Sequence, residues 1–598
     1  MVLLGRNARR VAATLALVVV APALGQAGSP TPREAMAAFH EVESWVREWA
    51  VPDEPVSPDP AGATGACVTL RLEGDVVGRA TVVSDAGDAV WRASRAALAQ
   101  ASQAMPVERD ALRRERLRAL APSVEIDLQI AGPWTPIVAE TLTEAALTVA
   151  PARQGVAARA GERAEAVFPG VMAASNMTPG DGITAALGAL GLAPTPLATL
   201  REETGLVLYR FDVQHLTQPT AGAEPVFLTR SGRVVSTREI TPASLRRFGD
   251  RLTINLIRRR WPGEEPFGVQ GTYLPWRDEY EPAGAAEPLD QALTAYALAR
   301  WLASGHGSPE LREPVMGLTR RILRDLAIVG EGEADPTRDA AVASLRTLAE
   351  VTLTMGEGAR PPAGDAPVAP APMVQPDAEP PPAPVRAIRA LANAQNARLR
   401  GLDELADAAR AEVRDLFART PPASLPALSP WLMFAELALA QGADRVPSAV
   451  ALRRFREQVE SRQITLADAA PTGDEDLVGG VVFGAGDAAL PTWHTLRPMI
   501  ALARMIADDR LTSPEERPAH LARLLDGVRF ARQLAADDAV CAMFPDRDRA
   551  RWGVRAAVWD QRQPVQATAL ALLLVTETLD AVDALTADRP ETDRPPEP

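Results

Sequence analysis

The feature that most constrains this chain is a change of periodicity near residue 242. Before it, SVEIDLQIAG (residues 123–132) and LVLYRFDVQHL (206–216) alternate apolar and polar positions, the pattern of half-buried strands. After it, strand signals nearly vanish. Amphipathic helical patterns recur at 243–260, 288–304, 309–327, 337–355, 387–417, 430–441, 446–459, 494–508, 517–535 and 564–585. At 598 residues the chain is also too long for one ordinary core. It therefore reads as multidomain. An N-terminal α+β domain spans 31–220, followed by an all-α domain of helical hairpins over 242–585.

Within the first part, TPREAMAAFHEVESWVREW (31–49) reads as a helix that Thr31 can cap. GACVTLRLEGDVVGRATVV (65–83) reads as a β-hairpin. A helix over 87–104, short strands at 155–159 and 164–168, and a helix over 183–192 complete the expectation. In the second part, the Pro/Ala-rich segment 358–385 cannot build a core and reads as an insertion within the helical domain. A domain boundary there is the alternative. Residues 586–598 read as a disordered tail.

Residues 1–25 have the three parts of a signal peptide: Arg6, Arg9 and Arg10, an apolar run from Val11 to Val20, and Ala23-Leu24-Gly25 as a small-x-small site. The expectation is export to the periplasm or medium, with no membrane span in the mature form; a retained N-terminal anchor is the alternative. A net charge of −14 argues against a nucleic-acid partner. All 63 basic residues are arginine, which rules out a Schiff-base lysine, a phosphate-loop lysine and a Ser-Lys dyad. Two cysteines far apart and five scattered histidines give no metal motif, so neither a metal nor a cofactor is expected.

The order of elements in the first part resembles the AMMECR-type domain. Cys67-Val68-Thr69-Leu70 with Gly74 and Gly78 is similar to that family's opening hairpin. Val124-Glu125-Ile126-Asp127-Leu128 is similar to its Glu-Ile-x-Val strand, and Gly161-Glu162-Arg163 through Phe168-Pro169 to its Gly-Gly-Arg…Leu-Pro segment. Leu208-Tyr209-Arg210-Phe211 is similar to its closing strand, so the resemblance covers about residues 35–218. It implies an α+β fold of unsettled biochemistry. The family's signature cysteine would lie where Arg79-Ala80 stands, so the thiol is missing from its place. The run of helical hairpins is similar in architecture to an α/α toroid, a six-hairpin-like superfold shared by many glycosidases and polysaccharide lyases. Fold alone does not give function.

Chemistry in a toroid would sit in the loops at one end. GVQGTYLPWRDEYEP (268–282) places Tyr273, Trp276, Asp278, Glu279 and Tyr280 ahead of a helix. Aromatic faces beside carboxylates suit a sugar: stacking, with acid and base at hand. Asp560, with Arg555 and Trp559 beside it, precedes the last helix, and Trp493-His494 precedes another. Ring closure should bring the 268–282 and 552–563 loops together. Two functions follow. One is non-catalytic binding of a glycan or other extended ligand by Tyr273, Trp276, Tyr280, Trp493, His494, Arg555 and Trp559. The other is a carbohydrate-active enzyme, hydrolase or lyase, using Asp278 or Glu279 with Asp560.

Overall fold

The computed structural model describes residues 28–84, 86–105, 107–108, 111–193, 196–329, 336–356, 380–484 and 489–587. The expected signal peptide 1–25, most of the Pro-rich insertion 358–385 and the tail from residue 588 lie outside them. The first unit is built on one antiparallel sheet. β1 (Gly65–Leu72) and β2 (Asp75–Val83) form the hairpin read from the sequence. Glu73 and Gly74 at its tip have φ of 52° and 93°, the left-handed pair that suits a two-residue turn between twisted strands. β3 (Val124–Ala131), β4 (Thr135–Pro136), β5 (Gln154–Ala160), β6 (Arg163–Val167), β7 (Val207–Thr217) and β8 (Val226–Phe227) follow. The strand order is β2-β1-β3-β7-β5-β6, with β4 and β8 also paired to β7.

Strand alternation gives this sheet an apolar and a polar face. Val68, Leu70, Ile126 and Leu128 pack under helices Pro32–Glu48 and Ala89–Ala104. Cys67, Gln129 and His215 stand in register on the other face, with Thr69 and Asp127 paired one step along. The sequence pattern predicts that this polar side meets water. It is buried instead, because the second unit covers it: Arg547 forks onto Glu125, and a Cβ on Gly74 would lie 2.5 Å from the Pro545 carbonyl. Among the buried groups, His215 Nε2 lies 2.7 Å from Asp127. Burial disfavours the Asp127 anion, but His215 and Arg71 outweigh it and hold the carboxyl below its ordinary range.

The second unit is an α/α toroid. Its inner ring consists of helices Pro288–Ser304, Pro336–Gly356, Ala383–Arg400, Trp431–Leu439, Leu496–Ala507 and Val565–Ala587, each packed on the next. The last returns to pack on the first. Helices Pro242–Arg258, Arg312–Val329, Asp403–Arg419, Ala449–Glu460 and Arg517–Leu534 lie outside. The single helix expected over 387–417 is two, because Gly401 at φ 67° ends the first and reverses the chain from the inner layer to the outer. The helices flanking the Pro-rich segment pack against each other within the ring.

Val565–Ala587 explains why the ring holds. Leu570, Leu572, Leu573, Leu574, Val575 and Leu579 are all buried, so the helix is apolar nearly all round. Each such side chain contributes roughly 1.5–3 kcal/mol of transfer free energy. The stretch Val565–Thr586 is long and apolar enough to cross a membrane, yet 83% of its apolar window is buried within the protein. Its one deeply placed acid, Glu577, is matched by Arg300 at 2.8 Å and by Arg504.

The two units are joined by buried polar contacts. Arg230 bridges Asp474 and Asp476, the latter at 2.6 Å, and Arg153 reaches Asp474 at 2.9 Å. Arg529, on an outer helix, donates to the carbonyls of Val235, Asp476 and Val478.

Candidate functional site

Residues 268–287 lead into the first ring helix and residues 551–564 into the last. Those helices are neighbours, so the two loops meet. Tyr273 and Gln563 exchange backbone hydrogen bonds of 3.2 and 2.9 Å. Arg259 clamps the pair by donating to the carbonyls of Gly271 at 3.1 Å and Gln563 at 2.8 Å. The first unit lies against the same place. Asn176 accepts from the Gln561 amide at 2.8 Å and donates to Asp560 at 3.4 Å.

This docking changes what several expected site residues can do. Tyr273 is fully buried in a cluster with Ala152 and Ala173 of the first unit, and its ring lies 5.2 Å from that of Tyr280. Its hydroxyl donates to Asp278 at 2.7 Å, and burial, with that hydrogen bond, pushes the phenol well above its ordinary range. No ligand can stack on a ring in that position, so Tyr273 is corrected from ligand contact to interface core. Arg555 is corrected in the same way. It is fully buried, and it donates to the carbonyls of Leu534, Val558 and Gln533 at 3.1, 3.0 and 2.7 Å. Burial pushes it down to about 10. It braces the turn from inside.

The carboxylates are also engaged. Asp278 takes Arg549 at 2.7 Å as well as the Tyr273 hydroxyl. Asp560 takes a fork from Arg562, with Nη2 at 2.5 Å. Glu279 is exposed at the neighbouring turn. Trp276, Tyr280 and Trp559 remain half-buried, each with some surface open.

A second group lies on the same rim. Trp493 and His494 occupy a short turn that Thr492 caps ahead of Leu496–Ala507. The Trp493 amide donates to the Ala556 carbonyl at 3.1 Å, which ties this turn to the 552–563 loop. The Trp493 and His494 rings are 4.0 Å apart, and the Arg497 guanidinium lies 5.6 Å from the Trp493 centroid. Burial and the charge of Arg497 hold His494 below its ordinary range, so the imidazole is neutral near pH 7. Asp290, half-buried in the first turn of Pro288–Ser304, accepts no hydrogen bond at its carboxyl among the described residues. Burial and the neighbouring Glu287 raise it to about 6, with Arg497 pulling the other way. The sequence reading passed over Asp290. An acid three residues into a helix looks like an ordinary N-terminal charge, and only packing reveals its burial.

No family model matches the chain, and no curated protein matches it. The AMMECR-type resemblance thus rests on the order of elements alone. Solved structures similar to parts of it include the following two. One is an uncharacterized protein from Pyrococcus horikoshii, 11% identical with a TM-score of 0.25, covering 34% of this chain and 99% of that one. The other is a family 76 glycoside hydrolase from a bovine Bacteroides thetaiotaomicron strain, 11% identical with a TM-score of 0.37, covering 78% of this chain and 97% of that one.

Proposed function

We propose that this is an exported protein that binds an extended polar ligand such as a glycan on the rim where the inner helices begin. The observation that carries this reading is the grouping of partly open aromatic faces on loops that meet: Trp559 and Tyr280 on the joined loops, with Trp276 beside them, whereas Trp493 is buried in the toroid core and is corrected from ligand contact to support of the rim. Such faces stack on sugar rings. The first unit serves as a fixed wall of the site. Its Cys67 is buried, and burial pushes the thiol up to about 11, so it supplies no nucleophile. Asp278 and Asp560 are structural ion pairs that hold the rim in shape, which favours binding over hydrolysis through these two groups.

The second reading, a carbohydrate-active enzyme, is favoured by one observation. Asp290 is poised to stay protonated up to about pH 6, the state that a general acid needs. Glycan-array binding run beside reducing-end release on the bound glycans separates the two. Binding without release, lost in Trp559→Ala, is the expected result. Release that disappears in Asp290→Asn would replace the binding reading with the enzymatic one. An array with no glycan retained would remove both.

A further inference from the structure

The ring has a second mouth, at the C-terminal ends of the inner helices, and it holds a cavity of about 640 Å³. That is within the size range of small-molecule sites, about 300–1,000 Å³. Five inner helices send residues into it from their last turns, among them Arg300, Met355, Arg398, Leu437 and Arg504. The five therefore run in one direction, and this mouth lies across the ring from the rim described above.

The charges of the wall are unevenly spent. Every carboxylate beside the cavity already has an arginine. Asp508 takes Arg510 at 2.9 and 2.6 Å, and Asp509 pairs with Arg517. Glu577, in the floor, takes Arg300 and Arg504, and Asp580 takes Arg300 at 2.9 Å and His306 at 2.8 Å. The arginines are not all used in return. Arg398 is exposed to the cavity and has no hydrogen-bond or ion-pair partner among the described residues. Arg504 donates to Glu577 through Nε alone. Its guanidinium lies 5.1 Å from the Phe434 ring centroid, and neither terminal nitrogen has a hydrogen-bond partner among the described residues. Glu577 anchors Arg504 from behind, so the fork is held in place before any ligand arrives.

We infer that this cavity binds a small organic carboxylate, a sugar acid in size and polarity, through Arg398 and the fork of Arg504. A planar guanidinium with two free N–H groups matches a carboxylate in two-point geometry. Apolar side chains, Met355, Phe434 and Leu437, would contact the body of the ligand. Among the described residues a cation finds no unpaired acid in this wall. The negative ends of the helices weaken the field for a distant anion, so the ligand must touch the guanidinium groups directly.

The test is calorimetric titration of the full chain with D-glucuronate, glucose and inorganic sulfate, repeated on Arg398→Ala and Arg398→Lys. Arg398 is exposed and unpaired, so its replacement should leave the fold intact; equal melting temperatures check this. Glucuronate should bind saturably and glucose should not. Arg398→Ala should weaken glucuronate at least tenfold, and Arg398→Lys should fall between, having charge without the fork. Absence of saturable glucuronate binding, equal affinity for sulfate, or an Arg398→Ala affinity within twofold of the parent would each overturn the inference.

Discussion

Asp290 occupies a position where a carboxylate is ordinarily stabilised as the anion by the helix N-terminus. Here burial wins, and the group rises to about 6. A carboxyl whose folded value is raised contributes stability below its unfolded value, and that contribution is lost as pH climbs through the folded one. At about 1.4 kcal/mol per pH unit, the loss between roughly pH 4 and 7 is at most about 3 kcal/mol. Asp290→Asn should therefore melt at a higher temperature than the parent at pH 7.5 and show a flatter profile between pH 4 and 7. Parallel profiles would refute the raised value. At this scale the sequence was only partly legible. Tyr273, Trp559 and Asp560 could be picked out as a chemically rich group because their neighbours in sequence are rich. Their actual partners, Arg549 for Asp278 and Asn176 for Asp560, come from distant segments that no local pattern connects.

Among the elements, the long helices announced themselves, because an apolar stripe at helical spacing survives any tertiary context. Pro288–Ser304 lies where the pattern put it. Short helices such as Leu142–Leu147 carry too few turns to leave such a stripe. The strand β3 was read correctly as a strand but wrongly as open on one face, since its polar residues meet a second unit rather than water. Val565–Ala587 depends on one charged residue. Burial opposes the Glu577 anion, but Arg300 and Arg504 outweigh it and keep it below the usual carboxylate range. Removing one member of a buried pair costs about 3–5 kcal/mol. Glu577→Leu should lower the unfolding free energy obtained from urea titration by an amount in that range at pH 7. The group's value is depressed, so the wild-type advantage should shrink as pH falls below about 4. Equal unfolding curves at pH 7 would show that the network is idle.

In the whole molecule, the two units share buried charges, and Arg230 is the clearest of these. It is nearly inaccessible and holds Asp474 and Asp476 from across the boundary. The intact chain should unfold in one calorimetric transition. Arg230→Ala strands Asp476 in the interior, at a cost of about 3–5 kcal/mol, and should split the transition into two. A single unchanged peak would mean that the units are not coupled through this contact. The closed ring has a further consequence for how the protein is made. Arg300 and Glu577 meet across 277 residues of chain, and the helix that joins them is the last of the ring's helices to be synthesised. A linear array of repeats can settle piece by piece as it emerges. This ring cannot. Until its final 23-residue helix arrives, the first ring helix and the fifth each present a bare apolar flank to their surroundings. Synthesis therefore carries the protein through a long interval as an unfinished circle, vulnerable to aggregation and in need of shelter, and the final helix brings that interval to an end.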